Sequence, residues 1–164
     1  MSTVPPLIEP ACPRDFLAVA ALDRVAWQSS PDSEFIPDGE HVWRIWCEHA
    51  LTYVARAGTD GVLLGVVVAF PCVDGPYCLH KVMVTEAARG QGVGSRLFAA
   101  LFEALDQRQA ACFLTVFPGN AAAIKLYRNW GFTEEVFVPG YYRETEDRLV
   151  LTRPARSTRP NLPA

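Results

Sequence analysis

Long hydrophobic runs are missing from this chain. No apolar stretch approaches the ~18 residues that would span a bilayer, and the mean hydropathy is only +0.10. A membrane-spanning helix and a membrane partner are therefore excluded. Met1 to Pro13 holds Glu9 and several prolines, but neither a basic leader nor a long apolar segment, so no secretory signal is expected. Positive charge is not in excess either: 15 Lys and Arg against 18 Asp and Glu leave a net −3. With a pI near 5.6 there is no basic footprint for a nucleic-acid backbone. Cysteine occurs five times (Cys12, Cys47, Cys72, Cys78, Cys112), an odd number without any C-x-x-C spacing. Neither a disulfide framework nor a metal site follows from that pattern. What remains is a reduced, cytoplasmic enzyme or binding domain.

The 164 residues suit one ordinary domain, long enough to bury about 70% of its unfolded surface. Hydrophobic residues make up 50% and charged residues 20%, a globular balance rather than a disordered one. Residues 1–152 are expected to form that domain. Residues 153–164, with three prolines and three arginines, read as a flexible tail.

Strand-like and helix-like segments alternate along the domain. Leu7-Ile8 opens a short strand, and Arg14 to about Ser29 reads as a helix through Phe16, Val19, Ala20, Val25 and Trp27. Gln28 to Gly39 reads as a loop, after which Asp38 or Gly39 opens a second helix containing Val42, Trp43, Ile45 and Trp46. Leu51–Ala57 and Val62–Phe70 are β-rich runs joined by Gly58-Thr59-Asp60-Gly61, a hairpin signal. The second run is apolar throughout, as expected of a strand covered on both faces. Tyr77–Val84 is a further strand. Gly92–Leu105 is a helix striped by Val93, Leu97, Phe98, Leu101, Phe102 and Leu105. Cys112–Phe117, a helix over Asn120–Trp130 with Asn120 suited to its N-cap and Gly131 to its C-terminal stop, and strands at Glu134–Val138 and Arg148–Thr152 complete an α/β domain with helices on the sheet faces.

The stretch Val82-Met83-Val84-Thr85-Glu86-Ala87-Ala88-Arg89-Gly90-Gln91-Gly92-Val93-Gly94-Ser95 carries the most chemistry. A strand runs into a glycine-rich turn that opens a helix. Glycine allows close approach of the backbone to a ligand, and the free N–H groups of a first helical turn attract an anion. Arg89 adds a positive charge. The arrangement is a phosphate or pyrophosphate cradle. A nucleotide P-loop would need Gly-Lys followed by Ser or Thr, which is missing. A dinucleotide fingerprint would need glycine where Ser95 stands and an acidic residue about 20 positions later, also missing.

Arg89-Gly90-Gln91-Gly92-Val93-Gly94 resembles the pyrophosphate loop of the GNAT acetyltransferases. Leu114-Thr115-Val116-Phe117-Pro118-Gly119-Asn120, followed by Ala121 to Leu126-Tyr127 and Gly131-Phe132, resembles the second signature of that family. The likeness runs from about Leu7 to Thr152. It is nearest to the ribosomal-protein and protein N-terminal acetyltransferases, through Asn-Ala-Ala-Ala-Ile-x-Leu-Tyr and the later Tyr141-Tyr142 and Glu146-Asp147. The resemblance implies a central mixed, mostly antiparallel sheet of six or seven strands flanked by about four helices.

It also implies acetyl-CoA as co-substrate and roles for particular residues. Backbone groups of Val82, Met83 and Val84 would bind the pantetheine arm and polarise the thioester carbonyl. The amides of Arg89, Gly90, Gln91, Gly92, Val93, Gly94 and Ser95 would hold the pyrophosphate, and Asn120 would touch the arm. Tyr127 stands at the position of the general acid that protonates the departing thiolate, the alternative being an aromatic that packs its helix on the sheet. His80 lies two residues before Val82 on the same sheet face. It is a candidate base for the acceptor amine, since histidine titrates near pH ~6.5; a structural histidine is the other reading.

Thr115 stands where the N-terminal acetyltransferases carry a Glu that serves as the base, so their protein acceptor does not transfer to this chain on sequence grounds. Tyr141, Tyr142, Glu144 and Asp147 are candidates for the acceptor end, as are Asp38, Glu40 and His41. Phe35, Trp43 and Trp46 are candidate walls of its pocket. Asp38 is equally a helix cap, and Cys78 and Cys112 read as buried hydrophobes. The expected reaction is acetyl transfer to a primary amine, on a small molecule or a peptide N-terminus. The competing reading is a non-catalytic acyl-CoA sensor. A homodimer is compatible with the family habit.

Overall fold

The structure is a computed structural model, and it describes residues 5–29, 36–58 and 61–156. Phe35, the middle of the expected hairpin turn (Thr59-Asp60), most of the loop before the second helix and the tail from residue 157 onward lie outside these residues.

Seven strands and four α-helices are present among the described residues, in the order β1 (Leu7–Pro10), α1 (Phe16–Gln28), α2 (Glu40–His49), β2 (Leu51–Ala57), β3 (Val62–Pro71), β4 (Tyr77–Val84), α3 (Val93–Gln107), β5 (Cys112–Val116), α4 (Ala121–Asn129), β6 (Glu134–Val138) and β7 (Arg148–Arg153). The strands form one sheet in the order β1-β2-β3-β4-β5-β7-β6. Its neighbours β1/β2, β2/β3, β5/β7 and β6/β7 are antiparallel, and β4/β5 is parallel. The mostly antiparallel α/β architecture expected of the sequence is the one observed. Two compact units divide the chain: Met1–Phe70 with His80–Ala104, and Pro71–Leu79 with Leu105–Ala164.

In the first unit the sheet core comes from β3. Val66, Val67, Val68 and Ala69 are fully buried, which is why that run has no polar alternation. One cluster unites Val19 and Ala20 of α1, Trp43 and Cys47 of α2, Val54, Val66, Val68 and Met83. The helix striped by Val93, Leu97, Phe98, Leu101 and Phe102 buries all five, with Phe98 and Phe102 stacked at 5.6 Å. Gly65 of β3 is small for a local reason: a Cβ there would sit 2.7 Å from the Met83 carbonyl oxygen. α1 starts later than expected. Pro13–Asp15 forms a 3-10 turn in which the Asp15 carboxylate accepts from Cys12 N at 2.8 Å, and the α-helix follows from Phe16. Asp23 lies on the same buried stripe as Val19 and Ala20, an acid on an apolar face.

In the second unit β5 is central, with Cys112, Leu114 and Val116 buried. Its parallel ladder with β4 comprises Tyr77↔Cys112 and Cys78↔Phe113, and both strands run on beyond it. Asn120 caps α4, its side chain accepting from Ala123 N at 3.1 Å, and Gly131 ends the segment at φ +93°. Both roles match the sequence expectation. Arg153, grouped by sequence with the tail, is instead the buried last residue of β7. Its guanidinium reaches Asp106 at 2.7 Å and donates to the Trp130 carbonyl at 3.1 Å, partners too distant in sequence to be foreseen.

Candidate active site

The candidate residues fall into both units. In the first, β4 ends at Val84 and Thr85 N donates to Leu64 O at 2.8 Å, so the strand is tied down to its last residue. A 3-10 turn over Glu86–Ala88 follows, and then Gly90 and Gly92 adopt φ of +73° and +75°. That left-handed geometry is what glycine alone adopts without strain, and a Cβ at either position would meet open space rather than protein. The glycines are therefore set by backbone direction, not by crowding from within. The first bond inside α3 runs from Arg96 N to Gly92 O at 3.1 Å. The amides of Val93, Gly94 and Ser95 consequently have no partner within the helix. Val93 anchors the turn by burying its side chain, and a Cβ added at Gly94 would lie 3.8 Å from the Val84 side chain, an ordinary contact distance. Arg89 is exposed and reaches back to the Val84 carbonyl at 3.5 Å. Gln91 donates to Ala87 O at 2.8 Å, closing the turn. Backbone amides without helical partners, with one exposed cation beside them, give this turn the chemistry to receive an anion.

His80, on β4 of the same unit, does not stand alone. Its Nε2 lies 3.0 Å from Asp38 Oδ2. Its ring sits against two aromatic rings, Trp46 of α2 at 4.9 Å and Phe70 of β3 at 5.8 Å, which themselves stack at 5.6 Å. Asp38 also pairs with Lys81 Nζ at 2.5 Å. Lys81 in turn donates to both carboxylate oxygens of Asp23, at 2.8 and 2.9 Å. Asp23 Oδ2 further accepts from Trp43 Nε1 at 3.0 Å and from Asp38 N at 2.8 Å. Burial pushes the Asp38 carboxyl up, but the hydrogen bonds from His80 and Lys81 outweigh it and hold the group below the usual carboxylate range.

This cluster corrects one expectation and supplies two residues that sequence reasoning missed. Asp38 does not cap α2: the N-cap is Gly39, which has no side chain to offer. The carboxylate is drawn to His80 and Lys81 instead. Lys81 and Asp23 were not singled out at all. The signal for Asp23 was available, because an acid four residues from Val19 and three from Ala20 shares their buried face. Glu40 pairs with Arg24 at 3.3 Å on the exposed surface. Trp43 is fully buried and so packs the core rather than walling a pocket.

The second unit carries Tyr127, on α4, packed edge-on to Phe132 at 5.8 Å. Burial pushes its phenol above the ordinary range, so the hydroxyl stays protonated at neutral pH. Thr115 of β5 hydrogen-bonds the Tyr142 hydroxyl at 2.7 Å. Tyr142 is also T-stacked on Tyr141 at 4.7 Å and covered by the Arg148 guanidinium at 5.1 Å. Asp147 is used locally, its carboxylate accepting from Gly140 N at 2.9 Å. Burial raises the thiols of Cys78 to about 11 and of Cys112 to about 12, which keeps both as inert hydrophobes.

Comparison with known proteins follows the same lines. The sequence profile of the acetyltransferase (GNAT) family matches residues 18–132, well over half of the chain. The [ribosomal protein bS18]-alanine N-acetyltransferase of Escherichia coli K12 is 35% identical over 80 residues, 46% of this chain and 54% of that protein. An uncharacterized protein of Mycobacterium leprae, ML0378, is 39% identical over 66 residues, 40% of this chain and 18% of that one. The matches thus span about half the length, or less, of these curated relatives. The crystal structure of the E. coli ribosomal-protein-S18-alanine N-acetyltransferase superposes with a TM-score of 0.74 at 23% identity, covering 97% of this chain and 99% of that one.

Proposed function

The chain belongs to the acetyltransferase (GNAT) family, and from that premise we propose that it transfers the acetyl group of acetyl-CoA to a primary amine, on a small molecule or a peptide N-terminus. The observation that carries the reading is the turn from β4 into α3. Two glycines at positive φ lead into three amides without helical partners, beside Arg89. A diphosphate is the natural occupant of such a cradle. In this reading Arg89, Gly90, Gln91, Gly92, Val93, Gly94 and Ser95 hold the pyrophosphate of the co-substrate. Val82, Met83 and Val84 bind its pantetheine arm through their backbone, and Asn120 meets the arm as well. Asn120 has committed its side-chain oxygen to the α4 cap, so its amide nitrogen is the group it offers.

The chemistry is direct. The neutral amine attacks the thioester carbonyl carbon, backbone N–H groups stabilise the oxyanion, and the C–S bond breaks to release the thiolate. The thiolate takes a proton from Tyr127, and the proton that the attacking nitrogen sheds on becoming an amide restores the phenol. A phenol of pKa about 10 is a workable donor to a thiolate whose acid has pKa about 8.5, and burial keeps Tyr127 in the protonated form that the role needs. The acceptor arrives as an ammonium and loses its proton to His80, through a water. Thr115 has no basic atom, and its hydroxyl is engaged with Tyr142, so the base is sought at His80. The reaction belongs in the cytoplasm in this reading, consistent with five unpaired cysteines.

The test is acetyl transfer from acetyl-CoA to pooled amines (polyamines, aminoglycosides, amino acids, arylalkylamines, peptides with free N-termini) read by mass spectrometry. One acetylated product that vanishes in Tyr127→Phe is the expected result. Acetyl-CoA binding with no product across the pool, in folded protein, would overturn it in favour of an acyl-CoA sensor.

A further inference from the structure

The cluster around His80 has a directionality that the base reading alone does not use. A carboxylate only accepts hydrogen bonds, so the 3.0 Å contact between His80 Nε2 and Asp38 Oδ2 requires the proton of the neutral ring to reside on Nε2. Nδ1 then carries the lone pair, and among the described residues no hydrogen-bond partner occupies it. The ring cannot easily turn over, because Trp46 and Phe70 lie against it. Asp38 is itself fixed: Lys81 holds its carboxylate, Asp23 accepts its backbone N–H, and Asp23 is 4% exposed and anchored to the indole of Trp43. A chain of contacts therefore runs from the buried face of α1 to one imidazole nitrogen. The charged groups facing that imidazole and its partner are Asp38, Lys81 and Asp23, from the segment before α2, from β4 and from α1. Their formal sum is one negative charge, which offsets the charge the ring acquires once it takes a proton.

We propose that Asp38 is a positioning residue for acetyl transfer, holding His80 in the Nε2–H tautomer so that Nδ1 is the atom that accepts the amine proton. This rests on the reading of His80 as the base. Asp38 touches neither substrate nor reacting atoms. It acts by setting which nitrogen of another residue is free.

Two readouts test it on the full chain. The first is the histidine tautomer in the resting protein, from two-bond 1H–15N correlation spectra at pH 8, with His80 assigned through His80→Gln. The Nε2–H form is expected in the wild type, and a mixture or the Nδ1–H form in Asp38→Asn, whose amide can turn its NH2 toward Nε2. A wild-type ring in the Nδ1–H form overturns the proposal, whatever the variants do. The second readout is kcat and KM with acetyl-CoA and the pooled amine that gives product. Asp38→Asn is expected to lower kcat about 100-fold, the low end of general-base contributions, with amine KM changed less than threefold and partial recovery in Asp38→Glu. His80→Gln slow but Asp38→Asn wild-type in kcat and tautomer would overturn the positioning role and leave the base reading standing. Full turnover in His80→Gln would instead remove the base reading, and the proposal with it.

Discussion

The turn from β4 into α3 and the cluster around His80 lie in the same unit, yet they are built on opposite principles. The turn is backbone: Gly90 and Gly92 set its direction, and the amides of Val93, Gly94 and Ser95, without helical partners, are what it presents. The cluster is side chain: Asp23, Asp38, Lys81 and His80 meet from three segments as much as 58 residues apart. A site made of backbone needs consecutive residues, so its sequence is a contiguous pattern. A site made of side chains needs only that the fold deliver them. The first can be read along the chain, the second only across it.

The contrast is sharpest in stability, where the cluster should fail hardest. Asp23→Ala leaves the Lys81 ammonium without one carboxylate and strips partners from the Trp43 indole and the Asp38 amide. Removing one member of a buried ion pair typically destabilises by about 3–5 kcal/mol. Lys81 is a quarter exposed, so the lower end, about 3 kcal/mol, is expected. Urea unfolding should show a lowered midpoint at unchanged m-value. An Asp23→Ala protein within 1 kcal/mol of wild type would mean the network is ornamental, and the distinction between the two regions would dissolve.

Tyr127→Phe comes next, and it affects turnover rather than fold. The ring keeps its edge contact with Phe132 at 5.8 Å, so packing survives while the proton donor is lost. A loss of about 100-fold in kcat, roughly 2.7 kcal/mol of barrier, is expected with little change in Tm. Stopped-flow release of free CoA would measure it. Wild-type kcat would return Tyr127 to a packing role.

Smaller again is Gly92→Ala. The added methyl meets nothing within 4 Å, so any effect comes from the φ of +75°. Holding an alanine there costs about 1–2 kcal/mol. The expected outcome is a rise in acetyl-CoA KM of about tenfold while the thermal midpoint falls only a few degrees. If affinity for acetyl-CoA were untouched, the turn would not be the cradle.

These outcomes also measure how far sequence carries. The apolar run of β3 and the stripe of α3 were legible because periodicity reports burial directly, and Val66 to Ala69 and the stripe residues Leu97, Phe98, Leu101, Phe102 and Leu105 are buried accordingly. Asn120 and Gly131 were legible because caps and stops depend on local geometry. The 3-10 turn at Pro13–Asp15 was not, since it depends on the Asp15 carboxylate also answering Arg56 at 2.5 Å, 41 residues away. The cap reading of Asp38, offered beside an acceptor-end role, failed for the same reason in reverse. Its local chemistry favours capping, but a lysine and a histidine on β4 outbid the helix end.

The smallest effect is the one that separates the two regions most cleanly, and it is read in acid. Hydrogen bonds from His80 and Lys81 leave the Asp38 carboxyl below its unfolded value, despite the burial that opposes them. A carboxyl depressed on folding binds its proton more weakly in the native state. Its stabilisation is complete above the unfolded pKa of about 4 and is lost as pH falls through the lower folded value. Asp38→Asn should therefore flatten part of the acid limb of stability below about pH 5, leaving the curve parallel to wild type at pH 6–7. The glycine stretch from Gly90 to Ser95 holds no ionisable side chain, so Gly92→Ala should lower the curve by the same amount at every pH. Measuring urea midpoints of both variants between pH 3 and 7 compares a site held by charge with one held by backbone direction. A pH-independent offset in Asp38→Asn would mean that its carboxylate is not what holds His80 in place.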